Sequence, residues 1–574
     1  MKTRYWISLI LLVAACSPRS GSLTLITTDD VHGAWFDSTY VGGDTRPSLM
    51  AINWYVDSIR KADGEKNVLL LDAGDCLQGD NATYYFNYVD TTGEHLFSRL
   101  AAYMKYDAVS VGNHDIETGH AVYDRVTAEL RRHGIPFLAG NAIRNDNGKP
   151  YFPLYKTFRR GGLKVLVLGY TNPNMAAWLD ESVWSGMTFK SLLPLVQEDV
   201  DKVKAREKPD VTIICIHSGT GEGDGSILEN QALDLYNSLS GVDFVVCAHD
   251  HRPVSFHNDT MGLINTGSRA AYLGIGKIKV TADGSKTVET GLIKVDKART
   301  DTVMRAAFRK EYEEVKAFTS QKVGMLAVDL FTRDAYKGMC PYVNLLHLVQ
   351  LDGCDAQISF AAPLTYNGTI RAGVMVYNDM FTIYPYENQL YKLELTGKEI
   401  KDYLEYSYKL WLAEPGGKHM LRIAAGDNPH NGREPWFFVG RFYNFDSAAG
   451  LNYTVDINKP FGERVSIASL SGGEPFDPDA RYSVAMTSYR ANGGGDILIK
   501  GAGIPKEKIE ERILGRYPEI RELVYRFVRK NTILDEMNLN DRSLLGEWKF
   551  VPEGEAADRL DDDMALLFGK NQPR

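Results

Sequence analysis

Residues 109–115 read Val-Ser-Val-Gly-Asn-His-Asp. A short β-branched run that stops at glycine and continues into an amide, an imidazole and a carboxylate reads as a strand whose carboxyl end opens into a loop of metal-ligand types. Four other stretches repeat the pattern. Residues 23–28 run on to Asp30 and His32, 67–71 to Asp72 and Asp75 with Gly74 and Gly79, 211–216 to His217, and 244–247 to His249 and His251. Taken singly, each has an ordinary reading: aspartate is common in the turn after a strand, and a lone histidine such as His217 is more often a core or surface side chain. The other histidines (His95, His120, His133, His257, His347, His419 and His430) are read that way. Five strand ends in series point elsewhere, because ligands of α/β folds gather at the carboxyl ends of strands, and carboxylate, imidazole and amide oxygen together suit divalent cations. Asp72 reads as a supporting residue of that site.

Amphipathic stretches at 94–105 and 123–133 lie between some of these strands, so the first half predicts a layered α/β domain over residues 23–296. A charged helix with Met304, Phe308, Tyr312, Val315 and Phe318 on one side marks a connector, 297–323, and a second domain occupies 324–534. The tail, 535–574, is acidic and irregular and is given no fold. At 574 residues two to four domains are expected, since one core serves about 150 residues. Composition of 44% hydrophobic and 24% charged residues excludes disordered, collagenous and coiled-coil classes. With 65 Lys and Arg against 74 Asp and Glu, a net charge of −9 offers no general attraction to a nucleic-acid polymer.

Lys2 and Arg4 precede an apolar run, 5–15, that is too short to span a bilayer and ends in Val13-Ala14-Ala15-Cys16. This resembles a bacterial lipoprotein signal, which implies cleavage before Cys16, lipid on its thiol and a tether over 17–22; a plain secretory signal is the alternative. Either reading takes the protein out of the cytoplasm; the lipoprotein reading places it in the bacterial cell envelope, and the residues after Cys16 carry no acidic run, which points to the periplasmic side. Five cysteines remain, with no C-x-x-C spacing, so neither a disulfide framework nor a zinc ribbon is indicated. Cys215 and Cys247 read as buried small hydrophobes, and only Cys340 and Cys354 are left as a candidate pair.

The order Asp30-Val31-His32, Gly74-Asp75 with Gly79, Gly112-Asn113-His114-Asp115, His217 and His249-Asp250-His251 resembles the calcineurin-like metallophosphoesterases. The resemblance implies a β-sandwich flanked by helices and two divalent metal ions, zinc, manganese or similar. It assigns Asp30, His32, Asp75 and His251 to one, and Asp75, Asn113, His217 and His249 to the other. It also makes His114 a catalytic residue acting on the leaving group, with Asp115 as its orienting partner. Ala248 stands where that family usually has glycine.

Further on, ISFAAPLTYNGTIRAG (358–373), the Tyr384-Pro385-Tyr386 stretch, Tyr443-Asn444-Phe445-Asp446 and Tyr489-Arg490-Ala491 resemble the C-terminal domain of the 5′-nucleotidase family, and within it the periplasmic 2′,3′-cyclic-nucleotide 2′-phosphodiesterase/3′-nucleotidase branch. This implies a second α/β nucleotide-binding domain. Tyr443 and Phe445 on one side and Tyr489 on the other are the candidates to stack on a base, with Asn444, Asn492 and Asp496 as hydrogen-bonding partners; a core role is the alternative for each aromatic. Arg371 grips phosphate near the cleft or forms a structural salt bridge, and the glycines after Asn492 let a ligand approach or simply make a turn. The resulting expectation is dinuclear hydrolysis of extracytoplasmic nucleotides, with a 5′-nucleotidase or nucleotide-sugar pyrophosphatase as alternatives and a non-catalytic nucleotide-binding lipoprotein as the remote one. The oligomeric state is left open.

Overall fold

The computed structural model describes residues 20–426 and 435–569. Cys16, its signal segment and His430 lie outside them. Two six-stranded sheets make the first domain. One runs in the order Lys286–Lys294, Tyr272–Val280, Gly21–Thr28, Val68–Asp72, Ala108–Ser110, Phe137–Leu138; the other in the order Val254–His257, Gly262–Asn265, Phe244–Val246, Val211–Ile216, Leu163–Tyr170, Tyr155–Arg160. The central strands of each are parallel and buried on both faces, which is why they read as unbroken apolar runs. Leu23, Leu25, Leu69, Leu71, Val165, Ile213 and Phe244 interleave between the sheets. Helices cover the outer faces, so the layers are helix, sheet, sheet, helix.

The first strand starts at Gly21, so two residues of the expected tether belong to the sheet. The connector is two helices, Thr302–Ala307 and Arg309–Thr319, broken at Phe308 rather than continuous. Met304, Phe308 and Val315 are buried against the first domain as their spacing predicts.

The second domain is built on a five-stranded sheet, Ser447–Ala449, Ile358–Ala361, Arg481–Thr487, Gln389–Thr396, Ile513–Glu519, covered by the helices Pro341–Cys354, Gly397–Trp411 and Ile520–Asn531. The tail left without a fold is part of this domain. Strand Trp548–Val551 pairs with Leu451–Asp456, Trp548 stacks on Tyr453 at 5.5 Å, and Leu560, Leu567 and Phe568 of helix Glu553–Phe568 enter the core. Its acidic residues face outward or cap: Asp563 is buried and accepts from Met420 N, Leu421 N and His419. The candidate pairing of Cys340 with Cys354 is also corrected. They sit at opposite ends of one 14-residue helix, about 20 Å apart at 1.5 Å per residue, and all five described cysteines are free and buried.

Candidate active site

The register of the first domain aligns its strand ends. Thr28 lies beside Asp72, Asp72 beside Val109, and Cys215 beside Val246, so the loops after five strands open on one edge. There the structure gathers Asp30, His32, Asp75, Asn113, His217, His249 and His251. Five of them (Asp30, His32, Asp75, His249 and His251) hold positive φ between 44° and 77°, a conformation that side-chain-bearing residues adopt at a cost and that marks functional loops. Gly112 makes room: a Cβ there would lie 2.0 Å from Asp75 Oδ1. Ala248 is buried and outside the positive-φ set, so its methyl is accommodated without backbone strain.

His32 Nδ1 and His217 Nδ1 lie 3.1 Å and 2.8 Å from the carbonyls of Gln78 and Ala73. Donating there, each ring keeps its proton on Nδ1 and turns an Nε2 lone pair inward. His217 Nε2 is 3.1 Å from Asp75 Oδ2 and 3.0 Å from Asn113 Oδ1; His249 Nδ1 is 2.9 Å from the same amide oxygen. His32 Nε2 and His251 Nε2 are 3.0 Å apart, and Asp30 Oδ1 lies 3.6 Å from His251 Nε2. Asp30 Oδ1 and Asp75 Oδ2 are buried and accept no hydrogen bond, and two triads, Asp30-His32-His251 and Asp30-Asp75-His217, converge. Donor atoms bound at 2.0–2.2 Å to a common cation stand about 3–3.6 Å apart, so this set fits divalent metal. Burial, then neighbouring positive charge, pushes His32 and His249 well below the usual imidazole range, whereas Asp75 outweighs burial and holds His217 up at about 10, so a cation bound there would take the place of a proton.

His114 belongs to no triad. Its backbone N–H donates to Asp75 Oδ1 at 2.8 Å, and its Nδ1 lies 2.5 Å from Glu117 Oε2. Burial would lower it, but Asp75 and Glu117 outweigh burial and hold it up at about 9. Asp115 is not the orienting partner. Its carboxylate accepts from the N–H groups of Gly112, Asp75, Cys76 and Leu77, bracing the loop that carries Asp75. Glu117 was missed, although its place three residues after His114 in a helical first turn is the spacing that brings side chains together. Asp72 accepts from Thr28 Oγ1, Gly74 N and Cys76 Sγ, the supporting role expected of it.

Above these loops lies a cavity of about 420 Å³ walled by both domains. Asp75, Asn113, His114, Glu117, His249 and His251 form one side; Tyr386, Tyr443, Tyr489 and Arg441 are on the other. Tyr443 is 6.2 Å from Tyr386 and 6.4 Å from Tyr489, both edge-on, so the wall is a bent aromatic surface rather than a parallel slot. Phe445 is not part of it: with no exposure, it stacks on Trp411 at 5.6 Å in the core. Asn444 is committed to Arg490, which also grips Asp446 and the Tyr443 carbonyl. Asn492 and Asp496 lie outside the lining, Asp496 paired with Lys500. Arg371 forms a surface salt bridge with Asp329 at 2.6 Å, so the structural alternative holds. The glycine run serves Tyr489: a Cβ on Gly494 would lie 2.5 Å from its ring. Trp178, stacked on His249 at 5.2 Å, and Arg441, which bonds Tyr443 and Glu229 across the cleft, were not legible from any motif.

Residues 30–253 match the calcineurin-like phosphoesterase family and residues 319–500 the C-terminal domain of 5′-nucleotidases. A trifunctional nucleotide phosphoesterase of Bacillus subtilis is 23% identical over 92% of this chain, which spans 39% of that protein. A 2′,3′-cyclic-nucleotide 2′-phosphodiesterase/3′-nucleotidase of Salmonella typhimurium is 22% identical, covering 84% of this chain and 83% of that one. The solved structure of a candidate 5′-nucleotidase from Staphylococcus aureus superposes with a TM-score of 0.74 at 20% identity, covering 92% of this chain and 99% of that one. A calcineurin-like phosphoesterase domain thus carries the ligand loops, a 5′-nucleotidase C-terminal domain closes over them, and the pair marks the chain as a phosphoester hydrolase.

Proposed function

We propose that the protein is an envelope-tethered enzyme that opens 2′,3′-cyclic nucleotides and removes the 3′-phosphate, releasing nucleoside and phosphate outside the cytoplasm. The observation that carries this reading is one cavity with ligand loops and His114 on one wall and three tyrosines on the other. A nucleotide needs both, one wall for its phosphate and one for its base.

Two divalent ions, zinc or manganese in class, held by Asp30, His32, Asp75 and His251 and by Asp75, Asn113, His217 and His249, would supply Lewis-acid charge to the phosphoryl oxygens and activate water. The chain's own residues do the rest. Asp75 is central to both groups. Glu117 accepts at His114 Nδ1, which leaves the proton on Nε2 free to pass to the ribose oxygen as its bond to phosphorus breaks. Asp115 fixes the Asp75 loop, and Tyr386, Tyr443 and Tyr489 offer π-faces to any base, a tolerant form of recognition. Among the described residues no helix is long and apolar enough to cross a membrane, so attachment on this reading is through Cys16.

The test is a kinetic panel of 2′,3′-cyclic, 3′- and 5′-nucleotides and nucleotide sugars with Mn²⁺ or Zn²⁺ added. The highest kcat/KM on cyclic and 3′-substrates supports the proposal; the highest on 5′-monophosphates or on nucleotide sugars replaces it with a 5′-nucleotidase or a pyrophosphatase.

A further inference from the structure

The strands of the first domain have a second end. Opposite the cleft, the loops that lead into the parallel strands, together with the hairpin joining Tyr272–Val280 to Lys286–Lys294, make the base of the sandwich: residues 60–67, 104–107, 131–136, 156–164, 204–210, 240–243, 258–261 and 277–286. These segments hold 16 Lys and Arg against 8 Asp and Glu, whereas the whole chain holds 65 against 74. A chain of net charge −9 therefore presents one cationic face.

The loops form one continuous surface. Gly161 N donates to the Lys66 carbonyl, Arg60 to the carbonyls of Met104 and Lys105, Lys156 to that of Gly134, and Lys277 lies 4.0 Å from Asp63. Lys61, Lys66, Lys105, Arg131, Arg132 and Arg159 are exposed on it. A cavity of about 380 Å³ opens here, with Arg60, Lys105, Lys156 and Arg160 outnumbering Glu65 and Asp107 in its lining. The chain also enters the fold on this face. Ser22 N donates to Gly161 O, and Ser20 lies against Gly162, so the first described residue stands among these cations.

We propose that this base is a docking surface for an anionic phospholipid bilayer, with the cleft turned to solvent on the far side. The direction of approach rests on the tethered reading above; the affinity does not. A Lys or Arg close to an anionic membrane raises partition by about fivefold, and the effect fades with ionic strength. A tether of a few residues from Cys16 to Ser20 sets the base, and not the cleft, against the lipid. Substrate then reaches the site without crossing the headgroup layer.

The test uses the chain from Ser17, which keeps every described residue and no lipid, in cosedimentation with vesicles. The parent is expected to bind vesicles of phosphatidylglycerol and phosphatidylcholine, to leave pure phosphatidylcholine in solution, and to be released by about 0.5 M salt. Lys66→Glu, Arg131→Glu, Arg132→Glu and Arg159→Glu combined should lower partition by about a hundredfold or more while hydrolysing soluble substrate as the parent does. Lys508→Glu with Lys530→Glu, on the second domain, should leave binding unchanged. Equal binding to both vesicle types, undiminished binding by the fourfold variant, or capture of an oligonucleotide without vesicle binding overturns the proposal. Mass analysis of the full chain is separate: absence of acyl groups on Cys16 removes the tether reading, and the vesicle result still decides the face.

Discussion

The two walls of the cleft are built from different kinds of residue, and the difference governs what each tolerates. On and directly behind the first-domain wall every candidate metal ligand is an Asp, His or Asn held by a strand end, and five sit in left-handed backbone. Identity and conformation are both constrained there, because a cation accepts few donor types at few angles. The second-domain wall is made of tyrosines set edge to edge, and a π-face has no such demands. Chemistry should therefore fail abruptly on one side and specificity degrade gradually on the other.

The sharpest break is expected at Asp75. Asp75→Asn keeps size and hydrogen-bonding reach but removes the charge common to both ligand groups, so turnover should fall by about three orders of magnitude or more, with bound metal measured in parallel. Near-parental turnover would remove the distinction between the walls. His114 comes next. His114→Asn should retain metal and lose roughly 10²–10⁴-fold in rate, less with leaving groups that need no proton. Glu117→Gln should move rate in the same direction by a smaller factor, with metal again retained. Loss of metal in either variant would place His114 among the ligands.

The same contrast explains how much could be read without a structure. The strand-end series yielded a metal site on a layered α/β domain because Asp, His and Asn after apolar runs have few alternative uses in that order, and the phosphoesterase sandwich followed from the family resemblance of the same series. Asp115 and Glu117 show where reading stops: both lie within three residues of His114, and only the helical turn decides that the second reaches its ring while the first turns back to four backbone N–H groups. Tyr443 and Phe445 are two residues apart in one motif, yet one lines the cleft and the other stacks on Trp411. Aromatic residues serve core and site equally, so type alone cannot sort them. The tail was opaque for a related reason: its short strand and helix acquire meaning only from Tyr453 and the core they cover.

That pair of aromatics supplies the third test. Phe445→Ala should cost about 3–5 kcal/mol of unfolding free energy, the range for an emptied aromatic site, and leave KM nearly unchanged in what stays folded. Tyr489→Ala, on the cleft side like Tyr443, should do the reverse: stability close to the parent and KM for nucleotides raised about tenfold, with a base-free phosphate ester hydrolysed as before. Tyr489→Ala slowing both substrate types equally would show that the second wall shapes the chemistry as well as the fit.

The smallest effect separates histidines of the site from histidines of the core. His347 in the second domain is as buried as His217, but its two nitrogens meet the hydroxyls of Ser359 and Ser447 at 3.0 and 3.2 Å, where no carboxylate lies in hydrogen-bonding reach. Burial therefore pulls it down to about 3, and it stays neutral in the folded state. An unfolded chain binds a proton at this residue near pH 6.5, so between 6.5 and 3 the unfolded state holds more protons and stability falls with pH. At pH 5 the drop relative to neutral pH is about 2 kcal/mol from this one group. His95 in the first domain, also held at about 3 by burial, adds a similar slope. Urea unfolding at pH 7 and pH 5 reads both: His347→Gln should flatten the pH dependence by about 2 kcal/mol whatever it does to stability at neutral pH, because the slope follows the difference in bound protons and is blind to packing. An unchanged slope would mean that His347 takes up its proton in the folded state, and that burial on the second-domain side is less dry than its serine partners imply.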